Sequence, residues 1–384
     1  MLQARHGLML LTAALLSIGV IMVNSAGLTV GAAEPISLTG ILLGRTTILA
    51  VLAMAMMLIA SRLPVDRLYR VASSAGLLPW IVIGVVILLL AVHLPGVGRE
   101  VNGARRWLWP GFQPSEVAKW SMIVVLALYA ARHVAVMGQL NRGLIRPILL
   151  VALVCALIAT EDLGTAVLIG VVSVCVLVAA GARVAYVALL AGPGMAGLVA
   201  AVLVSPYRID RVRAFLDPWQ DPQGIGYHVI QSLVTVAGGG VAGRGLGNSI
   251  QKFGYLPEDT TDFIFAIISE ELGLVGVTVV VCLYGALLLC GLSVITRVGH
   301  PFGKLLGLGI LLTVGFQALI NMMVVTGLAP TKGIALPLIS AGGTGWILTA
   351  FCIGLLMAMD RGGRNTPGVF SAAEKTPGVF LPLP

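Results

Sequence analysis

Three carboxylates, Asp262, Glu270 and Glu271, enter an otherwise apolar run at the end of a long polar, Gly-rich stretch, in Tyr255-Leu-Pro-Glu-Asp-Thr-Thr-Asp262-Phe-Ile-Phe-Ala-Ile-Ile-Ser-Glu270-Glu271. Placing a carboxylate at membrane depth costs roughly 2.5–3.5 kcal/mol on insertion scales, so such groups face a bundle interior or a water-filled cavity. On a helix turning about 100° per residue, Ala266 and Ser269 share the face of Asp262; Glu270 lies off it and Glu271 nearly opposite. The two glutamates are accordingly read as structural, bonded to neighbouring helices. Asp262, at the water boundary in a partly apolar setting that raises a carboxyl pKa, has the position expected of a general base. Helix capping competes with that role, because Thr260, Thr261 and Asp262 all suit a helix start.

A second constellation is Asn102-Gly-Ala-Arg105-Arg106-Trp107-Leu-Trp109-Pro-Gly111-Phe-Gln113-Pro114-Ser115-Glu116-Val-Ala-Lys119. Arginine forks match phosphate oxygens and tryptophan suits the headgroup level, so the arginines Arg105 and Arg106 beside Trp107 and Trp109 give cation donors with an interfacial aromatic platform. Glu116 and Lys119 can pair on one helix face, as substrate ligands or as an internal salt bridge. The stretch Gly238-Gly-Gly-Val-Ala-Gly243-Arg244-Gly245-Leu-Gly247-Asn248-Ser249 lacks the Gly-Lys-Ser/Thr ending of a P-loop, and reads first as a close-packed or flexible turn. In Pro330-Thr-Lys332-Gly333 through Ser340-Ala-Gly342-Gly343-Thr344-Gly345, Pro and Gly break helicity and leave backbone groups that could meet a ligand.

The elements that must position these residues follow from composition. Of 384 residues, 58% are hydrophobic and 10% charged, with a mean hydropathy of +1.01, which excludes an ordinary soluble domain and indicates an integral membrane protein. The expected fold is an all-α polytopic membrane protein, with ten apolar spans near 7–27, 41–61, 76–95, 115–131, 147–160, 163–181, 184–204, 262–295, 305–326 and 346–360. The fifth and sixth are separated only by the Glu161–Gly164 turn, so one of them is a candidate re-entrant segment; the eighth is over-long and expected to project beyond the bilayer. The five cysteines all fall in apolar runs without metal-ligand spacing.

With the amino terminus inside, thirteen basic residues fall in inner segments and four (Arg99, Arg105, Arg106, Lys332) in short outer loops. The long outer loop 205–261 adds Arg208, Arg211, Arg213, Arg244 and Lys252, so outer basic charge gathers in two places and suggests an anionic ligand on that side. The chain thus divides into a membrane domain over 1–360 and a Gly- and Pro-rich tail over 361–384, expected to be a disordered cytoplasmic end.

These residues resemble the SEDS family, the FtsW, RodA and SpoVE polytopic proteins. The motifs run in order: Asn102-Gly103, Arg106-Trp107, Gln113-Pro-Ser-Glu116 and Lys119; Asp162-Leu-Gly-Thr165; Gly226-Tyr227; Gly243 to Ser249; Gln251-Lys252; Tyr255-Leu-Pro-Glu258; Thr261-Asp262-Phe-Ile-Phe; and Asn321, Pro330-Thr-Lys-Gly333, Pro337, Ser340 and Gly342-Gly343. Tyr255-Leu-Pro-Glu, Gln251-Lys252 and Pro330-Thr-Lys-Gly look more like the division-type FtsW branch than the elongation-type RodA branch. His228, Glu161, Ala341 and Thr344-Gly345 depart from the family pattern.

The resemblance implies a multi-pass protein of the bacterial cytoplasmic (inner) membrane. It would be a peptidoglycan glycosyltransferase, joining lipid II into β-1,4 glycan on the extracytoplasmic side and releasing undecaprenyl pyrophosphate. It also implies a class B penicillin-binding protein as transpeptidase partner, together with other divisome proteins, and no nucleic acid. Asp262 maps to the family's required aspartate and Trp107 to its motif tryptophan. Arg106 and Lys252, together with Arg105, Arg208, Arg211 or Arg244, are candidates for stabilising the departing diphosphate, with Trp107, Glu116, Lys119, Lys332 and Ser340 as further substrate ligands. The family also raises a divalent cation (Mg or Mn), although no metal-ligand spacing is visible. A retaining mechanism would need a second carboxylate, which only Glu258 or Asp259 could supply. The competing readings are a lipid II flippase, an elongation-type polymerase and a purely structural division scaffold.

Overall fold

Long apolar runs satisfy their backbone groups internally only as helices, and every one of the ten apolar stretches carries one. The computed structural model describes residues 4–27, 42–74, 76–94, 96–101, 104–108 and 112–365, so most of the expected tail, 366–384, lies outside the described residues. The helices are α1 (Ala4–Ala26), α2 (Arg45–Ala60), α3 (Val65–Ser74), α4 (Leu77–Ala91), α5 (Pro114–Arg132), α6 (Ile145–Ala159), α7 (Leu163–Ala179), α8 (Val184–Leu203), α9 (Pro206–Leu216), α10 (Tyr227–Gly238), α11 (Ile264–Ile295), α12 (Pro301–Val325) and α13 (Gly343–Asn365). Proline opens α5, α9 and α12, where its missing N–H is no loss. Asp162 opens α7 by accepting from the Thr165 amide at 3.0 Å.

Among the described residues, six helices are long and apolar enough to cross a bilayer, making this a multi-pass membrane protein; a seventh span is reached if α2 and α3, bent by 76°, count together. α4 and α7 are shorter apolar helices. The ten expected spans are therefore ten helices, not ten segments of full membrane length. α12 is the centre, packed against α5, α7, α11 and α13; α2 lies along α13, and α1 along α11. At the periphery α8, which holds Pro193 in its interior, buries only Val187.

Three features differ from the sequence reading. The 98–108 segment with the arginines forms an antiparallel hairpin, β1 (Gly98–Val101) with β2 (Ala104–Leu108). The loop 205–261 contains two helices, α9 and α10. Finally, α11 is 32 residues long because two segments meet at a break, with Gly273 at φ 63°, ψ −162°. The Gly-rich stretch enters that break. The amides of Arg244 and Gly245 donate to the carbonyls of Glu270 and Glu271, both at 2.9 Å, and the Leu274 amide donates to Gly240 at 3.0 Å. A Cβ at Gly273 would stand 2.3 Å from the Gly243 nitrogen, so only glycine fits.

Candidate functional site

A cleft of about 690 Å³ opens where β2, the starts of α5 and α7, α9, α10, the 257–262 turn and the 333–345 loop converge. Its size suits a specific ligand. Arg106 and Trp107 reach it from β2, Glu116 from α5, Asp162 and Thr165 from α7, Tyr207 and Arg211 from α9, and His228 from α10. Asp262 and Glu258 come from the turn before α11, and Ser340 from the loop before α13.

Asp262 is half-buried, and its carboxylate makes no hydrogen bond or ion pair among the described residues. Burial pushes its pKa up to about 7; the charges of Glu258 and Asp162 add to the rise, while Arg106 and Arg211 oppose it. Its backbone is fixed. Asn321 Nδ2, on α12, donates to the Asp262 carbonyl and to the Ile334 carbonyl, each at 2.8 Å, tying the turn to the loop. The Ala341 amide adds a bond to the Thr260 carbonyl at 2.8 Å. Glu258 itself holds a left-handed φ of 56°, uncommon outside glycine, and accepts from Thr261 Oγ1 at 2.8 Å. The neighbouring Asp259 is also raised by burial, to about 6.

The cations fall into two groups. Arg106 lines the cleft, with no hydrogen bond or ion pair among the described residues. Arg211 stacks its guanidinium over the Tyr207 ring at 4.5 Å and donates to the Thr331 carbonyl at 3.1 Å. Lys332 is not on the cleft wall; burial lowers its pKa, while the charge of Asp162 raises it. Arg208 serves helix ends, donating to the carbonyls of Ala201 at 2.9 Å, Thr160 at 3.0 Å and Ala159.

Arg244 and Lys252 are not brought to the cleft. Lys252 Nζ pairs with Glu271 at 3.2 Å, both side chains being fully buried, and Arg244 lies 3.5 Å from Glu270. Ser25 of α1 donates to both Glu271 oxygens, at 2.9 and 2.8 Å, and Ser249 Oγ to Glu270. This places two expected anion ligands in a polar cluster around the α11 break, for a physical reason: two buried carboxylates need cations close by. The structural reading of Glu270 and Glu271 matches this geometry, with partners from the 205–261 loop and α1.

Glu116 and Lys119 form the internal pair, with Nζ at 2.7 and 2.8 Å from the carboxylate oxygens. Lys119 is buried and also bonds Gln317 Oε1 at 2.8 Å; Gln317 in turn donates to the Ala335 carbonyl at 2.9 Å. Ser340 is buried and accepts from the Leu336 amide at 2.7 Å, so its hydroxyl shapes the loop it sits in. Gln317 had no role in the sequence reading, and Asn321 entered it only as a motif residue. Their signal was there: two amide side chains four residues apart on an otherwise apolar helix. The hairpin carrying Arg106 also had one, the Asn102-Gly103 pair, although those two residues lie outside the described set. Among the described residues no group of three or more His, Cys, Asp or Glu side chains is placed to hold a metal ion.

The family model described as "Cell cycle protein", covering FtsW, RodA and SpoVE, matches residues 6–365. A probable peptidoglycan glycosyltransferase FtsW of Geobacter metallireducens is 38% identical, over 94% of this chain and 95% of that protein. Stage V sporulation protein E of Bacillus subtilis is 42% identical, over 72% of this chain and 77% of its own length. A solved chain, from work on the structural coordination of polymerization and crosslinking by a peptidoglycan synthase complex, superposes with a TM-score of 0.71 at 29% identity, covering 94% of this chain and 98% of that one. With its fold, its ordered motifs and a match running almost from end to end, the chain belongs to the FtsW/RodA/SpoVE family.

Proposed function

We propose that the chain is a peptidoglycan glycosyltransferase of the division type, polymerising lipid II at the outer face of the bacterial cytoplasmic membrane. The observation that carries this reading is Asp262: a half-buried carboxylate raised to about 7, unpaired, lining the same cleft as Arg106. A base titrating near neutrality is matched to taking a sugar hydroxyl proton. The acceptor 4-hydroxyl oxygen bonds to C1 of the donor while the C1–O bond to phosphate breaks, its electron pair leaving with undecaprenyl pyrophosphate. Asp262 takes the hydroxyl proton. Attack opposite to the departing group inverts an α-linked donor to a β-1,4 glycan.

A diphosphate leaves as an anion and needs charge neutralisation more than protonation, which Arg106 and Arg211 are placed to supply. Lys332, outside the cleft wall, is assigned no direct contact with the diphosphate. Glu116 and Ser340 line the same cleft and are assigned to the saccharides. The relative from a synthase complex supports a class B penicillin-binding protein as transpeptidase partner. The test is lipid II polymerisation by purified protein, with and without that partner. Asp262→Ala is expected to lower the rate about 10²–10⁴-fold; a near wild-type rate sinks the assignment. Glycan made in detergent, with no membrane to cross, separates a polymerase from a flippase.

A further inference from the structure

Gly333 lies on the cleft wall between the two groups assigned to proton and charge transfer. A Cβ built on it would stand 3.1 Å from Asp262 Oδ2 and 3.4 Å from Arg106 Nη1. The residue makes no use of glycine's backbone freedom, since its φ is outside the left-handed region. What glycine supplies here is an absent side chain. The backbone beneath it cannot retreat from an added methyl. Asn321 holds the Ile334 carbonyl at 2.8 Å, Gln317 holds that of Ala335 at 2.9 Å, and the Ile334 amide bonds the Lys332 carbonyl at 2.9 Å.

The two charges also leave the gap open. Asp262 and Arg106 have opposite sign and share a wall, yet they form no ion pair with each other. We propose that Gly333 is the floor of the reacting centre, with the attacking sugar hydroxyl and the departing phosphate oxygen lying over its Cα, the first toward Asp262 and the second toward Arg106. This assignment rests on the glycosyl-transfer reading and adds a substrate-contact position to it. The bare Cα lets a pyranose approach the carboxylate as closely as a hydrogen bond requires; a methyl there would occupy the place of an oxygen.

The test uses the full chain in lipid nanodiscs and lipid II as probe. Gly333→Ala is expected to lower kcat/KM at least tenfold and to weaken lipid II binding at least fivefold, the latter measured in an Asp262→Asn background where no turnover occurs. Its methyl, by shedding water from the carboxylate, should also move the acid limb of the pH–rate profile upward. Gly285→Ala, whose methyl would meet nothing within 4 Å, is the control for adding a methyl elsewhere. Wild-type turnover and affinity in Gly333→Ala would overturn the assignment. Should that variant fail to fold, hydrogen exchange on the unaltered chain decides: lipid II should protect the 331–336 amides, and no protection overturns the idea. If the unaltered chain makes no glycan, the glycosyl-transfer reading fails, while the affinity and exchange measurements still judge Gly333.

Discussion

Asp262 and Arg106 line one cleft without pairing, and the proposed role of Asp262 as a base depends on that. A carboxylate locked in an ion pair would lose basicity, because a nearby guanidinium favours its charged form. Here desolvation outweighs the arginines and the acid sits at about 7. Turnover should therefore rise with pH through a limb centred near 7, and the limb should vanish along with the activity in Asp262→Asn. The same shift has a stability cost of defined sign. The folded pKa lies above the unfolded value of 3.8, so the group's stabilising contribution is full below about 4 and is lost as pH rises through about 7. Thermal unfolding of Asp262→Asn should thus be higher than wild type at pH 8, with the difference shrinking at pH 5. Arg106→Ala should weaken lipid II binding and lower the rate; unchanged values for both would remove it from the leaving-group clamp.

At the scale of elements, the break in α11 ties the Gly-rich stretch and α1 to the bundle. Its buried pair, Lys252 with Glu271, should respond as such pairs do: losing one partner strands a buried charge, at about 3–5 kcal/mol, whereas replacing both can be close to neutral. Glu271→Gln should therefore destabilise the purified protein strongly, and Lys252→Met added to it should restore much of the loss; thermal unfolding of the single and double variants checks this. None of these pairings was legible in the sequence. Ser25 and Glu271 are 246 residues apart, and Gly273 reads as one more small residue in an apolar run. The ten helices were legible, because bilayer-scale apolar length is a strong local signal. β1 and β2 were not: four and five residues long and rich in arginine, they carry little strand pattern apart from the turn between them. The same holds for α9 and α10, whose polar faces made them look like loop. Asp262 could be named beforehand because a carboxylate at a membrane boundary stands out by type alone. Arg244 and Lys252 were misplaced because clustering of basic residues along the chain says nothing about which buried acids they serve.

At the scale of the whole molecule, the cleft, the hairpin, α9, α10 and the Gly-rich stretch all belong to loops assigned to one side of the membrane, and the thirteen-to-four basic bias assigns the opposite side to the cytoplasm. That orientation is testable in intact cells. On a background with the five native cysteines replaced, a cysteine at Arg105 should react with a membrane-impermeant maleimide, and one at Arg142 should react only after permeabilisation. The reverse pattern would invert the topology and remove the site from the outer face. One more consequence comes from the way residues 240–252 thread into α11. The Arg244 and Gly245 amides meet the carbonyls of Glu270 and Glu271, the Ser249 and Ile250 amides meet the carboxylates of the same two residues, and Arg244 and Lys252 pair with those acids, so the segment behaves as a ratchet with a single tooth engaged. Deleting one residue there would slide every partner out of phase at once, whereas most surface connections absorb such a change.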